Sequence, residues 1–377
     1  MNNRLILVAG SGRSGTSLFA GILKAMGGHV PQPEVTPDDT NPQGFGEPRW
    51  VVDLHTRLLR AAGVHSSDAR PSAWAQTATV GRDWDVQIEL ENWLRKEFRH
   101  GDHVVIKDPR LLWFISMWQR AGETIAAPCF VTTLRHPLEI IMSKQMYYGE
   151  KFHPNNRVAG WLNTMLFTER ATRGTRRALV RYEDLLNDCM LALEKVSTTL
   201  DLALIERSTP TEARDAARLV DPSLRRARAT WDSLGVDDRL VELAEETSAV
   251  FDRAATGGDL NDDSIRSELD QLRERYVGLY EFAESIAEST ISASGSAGRR
   301  SDAATGPRPG PSPLKSGRRL WRRAKRKARR SLYGRRPGGE GSPGDKAGDK
   351  AGDKAGDKAG DKAGDKAGTA PATKAGT

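Results

Sequence analysis

The sequence predicts an α/β protein: a three-layer arrangement with a central parallel β-sheet flanked by helices, followed by a helical C-terminal extension and a disordered tail. Three observations carry that prediction. Short apolar runs alternate with longer helical patterns up to about Leu200, the rhythm of β-α-β units. The first run, LILVA from Leu5, leads straight into a glycine loop, GSGRSG, and then into a helical pattern. Polar side chains (Arg13, Lys107, Arg135, Tyr182) stand at or just after the ends of the runs, where open parallel sheets bind their ligands.

Leu5 to Ala9 is too short for a secretory leader or a membrane span and reads as a buried strand, so the expectation is a cytoplasmic protein without a helical anchor. From Ser17, Leu18, Ile22, Leu23 and Met26 fall at helical spacing and the pattern stops at Gly27-Gly28. A proline-rich loop, Pro31 to Pro48, opens a helix with Pro48 in its first turn, and another helical pattern covers Trp84 to Phe98. Three more apolar runs predict strands: HVVIK ending at Lys107, CFVTTLR ending at Arg135 and ALVRY ending at Tyr182. Helices are expected over Leu111 to Arg120, Leu138 to Tyr148, Val158 to Arg173 and Glu183 to Leu200.

Beyond about residue 205 the pattern is helical. Ile265, Leu269, Leu272, Tyr276, Leu279, Ala283 and Ile286 alternate spacings of four and three, which fits either a short coiled coil or a helix packed on the body. Residues 1–288 are therefore expected to form the folded domain, 289–314 a Ser/Ala/Gly/Pro linker, 315–336 a basic segment and 337–377 a tail containing six copies of Gly-Asp-Lys-Ala. The repeats lack large apolar side chains and cannot offset the entropy of ordering.

Charge is distributed unevenly. The chain carries +7 overall, but 12 Lys and Arg and no acid lie in 315–336, so the remainder stands at −5. Leu320, Trp321, Ala324, Ala328 and Leu332 can share one helical face of that segment. Such a basic amphipathic helix suits an anionic membrane surface, which would place the protein peripherally at the inner face of the plasma membrane; a solvated tail fits equally. Nucleic acid would bind it only non-specifically. Two cysteines, Cys129 and Cys189, exclude a disulfide framework, and the seven histidines show no metal-ligand spacing, so no metal is expected.

The loop itself is nearly a Walker A sequence. Gly10, Gly15 and Ser17 match, but Thr16 stands where the lysine belongs. Glycines at a strand-to-helix turn let backbone N–H groups converge on an anion, and the helix N-terminus adds positive potential. Gly12, Arg13, Ser14, Gly15, Thr16 and Ser17 then offer a guanidinium fork and three hydroxyls to a short anion that needs no lysine at a γ-phosphate.

GSGRSGTS resembles the 5′-phosphosulfate loop of the sulfotransferases that use 3′-phosphoadenosine 5′-phosphosulfate. LRHPLEIIMSKQ is similar to that family's 3′-phosphate element, which implies that Arg135, at a strand end, and Ser143, about two turns into the next helix, clamp the 3′-phosphate. RYEDLL resembles the segment near the nucleotide, implying a contact of Tyr182 with the adenine side; a core tyrosine is the other reading. VIKDPRLLWF matches a Lys-Asp-Pro-Arg element of bacterial relatives, and the four stretches run in family order over residues 5–186.

The resemblance implies transfer of a sulfuryl group from that cosubstrate to an acceptor hydroxyl, on a carbohydrate or glycolipid. Arg13 and Lys107 are the candidates for charge stabilisation, although Lys107, Asp108 and Arg110 also suit a structural ion-pair cluster. Where cytosolic members carry a histidine two residues beyond a strand-end lysine, this chain has Pro109. Glu47, in NPQGFGEPRW, is the expected base because it looks like the Asn-Pro-x-Gly-x-x-Glu segment of bacterial relatives. The alternative for Glu47 is a cap before Pro48, where the helix terminus would lower its pKa; His153 is the reserve base. Loops Pro31–Pro48, Ser66–Arg82 and Tyr147–Asn156, with Phe45, Trp50, Trp74, Tyr147, Tyr148 and Lys151, are expected on the acceptor side. Two other functions stay open on sequence: a P-loop kinase, with VVIKD as a loose Walker B, and an inactive nucleotide fold that acts through its basic tail.

Overall fold

The apolar run of Arg4–Ala9 forms strand β1, buried along its whole length as a strand inside a parallel sheet must be. The structure is a computed structural model that describes residues 3–38, 41, 43–149, 152–221 and 230–301, with side chains as far as 290. The second half of the expected linker, from residue 302, lies outside the described residues, as do the basic segment, the repeats and Lys151.

After β1 come α1 (Thr16–Ala25), α2 (Arg49–Ala62), α3 (Ala73–Val80), α4 (Trp84–Glu97) and β2 (His103–Lys107). A 3-10 turn, Leu111–Phe114, leads into α5 (Ile115–Glu123), then β3 (Ala127–Leu134), α6 (Pro137–Tyr148), α7 (Pro154–Ala171) and β4 (Arg176–Arg181). The remaining helices are α8 (Tyr182–Asn187), α9 (Cys189–Leu200), α10 (Leu204–Arg207), α11 (Pro210–Arg218), α12 (Asp238–Thr256) and α13 (Asp263–Ser301).

The strands make one parallel sheet in the order β2-β1-β3-β4, with Val8 opposite Lys107 and Val131, and Leu134 opposite Arg181. The alternation of side chains along a strand sends Leu5, Leu7 and Ala9 to one face, where they meet Leu54 and Leu58 of α2, Leu90 of α4 and Trp118 of α5. Ile6 and Val8 face the other way, onto Phe19 and Ile22 of α1, Leu193 of α9 and Ala216 of α11. Because β2 and β3 lie on opposite sides of β1, the strand order reverses at β1. The loops that leave the carboxyl ends of β1 and β3 are therefore neighbours, and the crevice between them is where such sheets place a ligand.

A third apolar cluster joins Leu134 and α6 to α7, α12 and the first half of α13, with Leu269 and Tyr276 almost fully buried. The Tyr276 hydroxyl donates to the Ala69 carbonyl. The heptad pattern thus belongs to a helix packed on the body as far as Tyr276; farther along, Phe282 and Ile286 are exposed. The helix also continues through Ser301, past the linker boundary expected at 289; no proline interrupts it before Pro307.

Other departures have local causes. The expected helix over 183–200 is two helices, because Asp188 is extended and its side chain accepts from Met190 N and Leu191 N as a new N-cap. The expected helix from Val158 starts at Pro154, with His153 accepting from Asn155 N. The expected loop over 66–82 contains α3, whose Ala73 and Thr77 are buried. No helix of the described residues is long and apolar enough to cross a membrane.

Leu269→Ala should cost about 2–5 kcal/mol in denaturant unfolding, whereas Ile286→Ala should stay within about 0.5 kcal/mol. Equal effects would contradict the docking of only the first part of α13.

Candidate functional site

Three residues of the glycine loop have positive φ: Gly10 at 139°, Arg13 at 78° and Gly15 at 96°. Gly15 must be glycine for a second reason, since an added Cβ would lie 2.5 Å from Tyr182 Cδ2. Gly15 is also the N-cap of α1 and has no side chain to cap it, so the first N–H groups of that helix have no intrahelical acceptor. Thr16 and Ser17 begin the helix, and Ser14 is buried with its Oγ 2.6 Å from Thr133 Oγ1 of β3. Gly12 lies against Pro109, 3.9 Å from the place a Cβ would occupy. The result is a glycine turn at the end of β1 that runs into an uncapped helix N-terminus, where backbone N–H groups favour an anion.

Helix α6 and the end of β3 grip this loop. Arg13 Nε donates to Ser143 Oγ at 3.0 Å, and the Arg13 guanidinium lies 4.1 Å over the Tyr147 ring. Arg135 NH1 donates to the Arg13 carbonyl at 3.2 Å, Arg135 Nε to Glu139 at 2.7 Å, and its guanidinium lies 4.4 Å over the Tyr182 ring. Lys144 Nζ donates to Ser11 Oγ at 3.0 Å. The structure therefore brings Arg13, Arg135, Ser143 and Tyr182 together, although they lie up to 169 residues apart in the chain.

On the other side of the loop, Lys107 at the end of β2 is buried. Its Nζ donates to Ser17 Oγ at 3.0 Å and to Glu47 Oε1 at 2.6 Å. Glu47 reaches it because the segment folds back: Val35 N donates to the Glu47 carbonyl and Arg49 N to the Pro33 carbonyl, each at 2.8 Å. The Glu47 side chain makes no cap hydrogen bond to α2, so the alternative reading as a cap is not the one the structure supports. Burial pushes the carboxyl up from its ordinary value, Lys107 pulls it back, and the Asp108 carboxylate adds to the rise.

Behind this pair is a buried chain of hydrogen bonds. Trp118 Nε1 donates to His55 Nε2 at 2.9 Å. An indole nitrogen can only donate, so Nε2 is the unprotonated nitrogen and Nδ1 carries the hydrogen that Asp108 Oδ2 accepts at 2.7 Å. His55 thus links Trp118 to Asp108, accepting at Nε2 and donating at Nδ1. The other Asp108 oxygen accepts from Arg110 NH1 at 2.8 Å and Arg110 N at 3.1 Å. Burial alone would raise the Asp108 pKa, but the hydrogen bond from His55 and the Arg110 charge outweigh it and hold the carboxyl low. Arg110 remains half-buried at the edge, 4.0 Å from Glu47 Oε2.

His55 was not among the residues singled out from sequence. The available signal was its position, at core spacing among Val51, Leu54, Leu58 and Leu59 on α2. His153 is exposed and bonded to its own helix terminus. Trp50 and Trp74 are half-buried: Trp50 stacks on Trp93 with ring centroids 4.3 Å apart, and Trp74 on Phe167 at 5.5 Å. Tyr148 is exposed.

Two solved structures resemble the chain. A sulfotransferase domain from the Synechococcus PCC 7002 olefin synthase matches with a TM-score of 0.37 and 16% identity, covering 65% of this chain and 94% of that one. A sulfotransferase domain from the curacin biosynthetic pathway matches with a TM-score of 0.35 and 16% identity, covering 72% and 98%. No curated protein matches the chain. The family model described as the sulfotransferase family matches residues 6–206, more than half of the sequence, and takes in the glycine loop, Glu47, Lys107, Arg135, Ser143 and Tyr182. The chain belongs to the sulfotransferase family.

Proposed function

We propose that the protein transfers a sulfuryl group from 3′-phosphoadenosine 5′-phosphosulfate to an acceptor hydroxyl, with Glu47 as the base. The observation that carries this reading is the position of one ammonium: Lys107 Nζ bridges Ser17 of the loop helix and the Glu47 carboxylate. An anion cradle and a buried base thereby share a cation.

The residues fit such a donor. The space a Cβ would fill at Gly15 is bounded by the Tyr182 ring, and no acid lies within the loop from Gly10 to Ser17. Gly12, Arg13, Ser14, Gly15, Thr16 and Ser17 would receive the 5′-phosphosulfate. Arg135 and Ser143 would hold the 3′-phosphate, and Tyr182 would pack beside the adenosine. When bound, the donor supplies an electrophilic sulfur and a phosphate leaving group.

Glu47 takes the acceptor's proton, which frees the acceptor oxygen to attack sulfur opposite the bond that breaks. As Glu47 becomes neutral, Lys107 loses its counter-anion and its charge turns towards the oxygen that gains charge on departure. Lys107 and Arg13 together stabilise that oxygen. Asp108, held by His55, fixes Arg110 at the edge, where it lies close to Glu47 without replacing Lys107 as its partner. The acceptor on this reading is a hydroxyl of a carbohydrate or glycolipid, for which the half-exposed Trp50 and Trp74 supply aromatic surface beside the crevice loops.

Glu47→Gln should keep the affinity for adenosine 3′,5′-bisphosphate within a few-fold and lower kcat by about 10²–10⁴. Turnover close to normal in that variant would remove Glu47 as the base. In the unaltered enzyme, deprotonated Glu47 is the active form, so kcat/KM should fall as pH drops through a value above the ordinary carboxylate range. Arg135→Ala should weaken bisphosphate binding by about tenfold or more, the loss of a charge-assisted contact; unchanged binding would take Arg135 out of the phosphate site.

A further inference from the structure

Lys144 has no part in the account above. Its side chain is buried, and it follows Ser143 directly on α6, so two consecutive residues reach the same loop: Ser143 accepts from Arg13 and Lys144 donates to Ser11. An ammonium has three N–H donors. Among the described residues, Ser11 Oγ takes one of them and no carboxylate pairs with the nitrogen.

The charged groups around Lys144 do not compensate it. Arg157 on α7 repels it, and Arg13 is the cation on the loop. On α6 itself Glu139 pairs with Arg135; on α7 Glu169 pairs with Arg173 and Arg177; on α12 Glu245 pairs with His136, Glu242 and Glu246 with Arg275, and Asp252 faces Arg181 and His136. Burial, reinforced by Arg157, lowers the Lys144 pKa to about 8. Lys107, the other lysine at the loop, already has Glu47.

We infer that Lys144 supplies from α6 the cation that the loop lacks at Thr16: it binds a phosphate of the donor and becomes fully protonated as it does so, which couples donor binding to proton uptake. The inference rests on the donor assigned above. The second ionisation of a phosphate monoester, near pH 6, is complete by about pH 8, and Arg13 and Arg135 stay charged. Any proton taken up above that pH therefore belongs to the protein.

The test is calorimetric titration of adenosine 3′,5′-bisphosphate into the full chain at about pH 8.5, in two buffers of different ionisation enthalpy. With a free pKa of about 8, uptake on the order of 0.7 proton is expected. Affinity should decline as pH rises from about 8 to 10. Lys144→Met should abolish the uptake, flatten the pH dependence and weaken binding at pH 7 by about 10- to 100-fold, with a melting temperature no lower than that of the parent. Lys144→Gln, with the same expected binding, covers the case in which the methionine variant does not fold. Uptake that persists in either variant, or affinity that does not change, overturns the role of Lys144 while leaving the donor site intact. No binding by the parent chain at any pH overturns the donor reading itself, and this inference with it.

Discussion

The site depends on one strained residue. Arg13 holds a left-handed backbone that ordinarily costs a side-chain-bearing residue about 1–2 kcal/mol, and it does so between two glycines that allow the turn. Ser143 fixes its side chain, and Arg135 binds its carbonyl oxygen. Both partners come from beyond the β3 crossover, so the loop takes its shape only when β3 has been laid beside β1. The same crossing that makes the crevice also closes the loop around it.

Charge follows from that geometry. Four cationic side chains, Arg13, Lys107, Arg135 and Lys144, meet the loop or its helix, and their partners differ in kind. Lys107 has a buried carboxylate and Arg135 a partly exposed one; Arg13 reaches the Ser143 hydroxyl on α6, and Lys144 reaches that of Ser11 on the loop. Cations gathered beside a glycine turn and a helix N-terminus suit an anionic ligand. Glu47, the buried acid paired with Lys107, is pushed towards neutrality by burial and by Asp108, and those are the conditions a general base needs.

Much of the scaffold was legible in the sequence because it is encoded locally. Buried strands read as continuous apolar runs, glycines mark the turn after β1, and each strand ends on a polar residue that the sheet delivers to one edge. Residues that act through distant partners were less visible. His55 looks like a core position until Asp108 and Trp118, more than 50 residues away, are seen on either side of it. Trp50 and Trp74 likewise give no hint in sequence of the stacking on Trp93 and Phe167 that fixes their rings. Glu47 could be read from its place before Pro48 either as a base or as a cap, and it is tertiary burial, invisible in the sequence, that raises its pKa. Only the first half of the α13 heptad pattern finds a partner surface, and periodicity cannot show where the body ends.

The central claim is that the cradle at the end of β1 is built for a phosphosulfate nucleotide and not for a triphosphate. Parallel titrations of adenosine 3′,5′-bisphosphate without magnesium and of ATP with magnesium test it most directly. The account predicts tight binding of the bisphosphate and weak or no binding of ATP. Binding of ATP alone, or of neither, would contradict it.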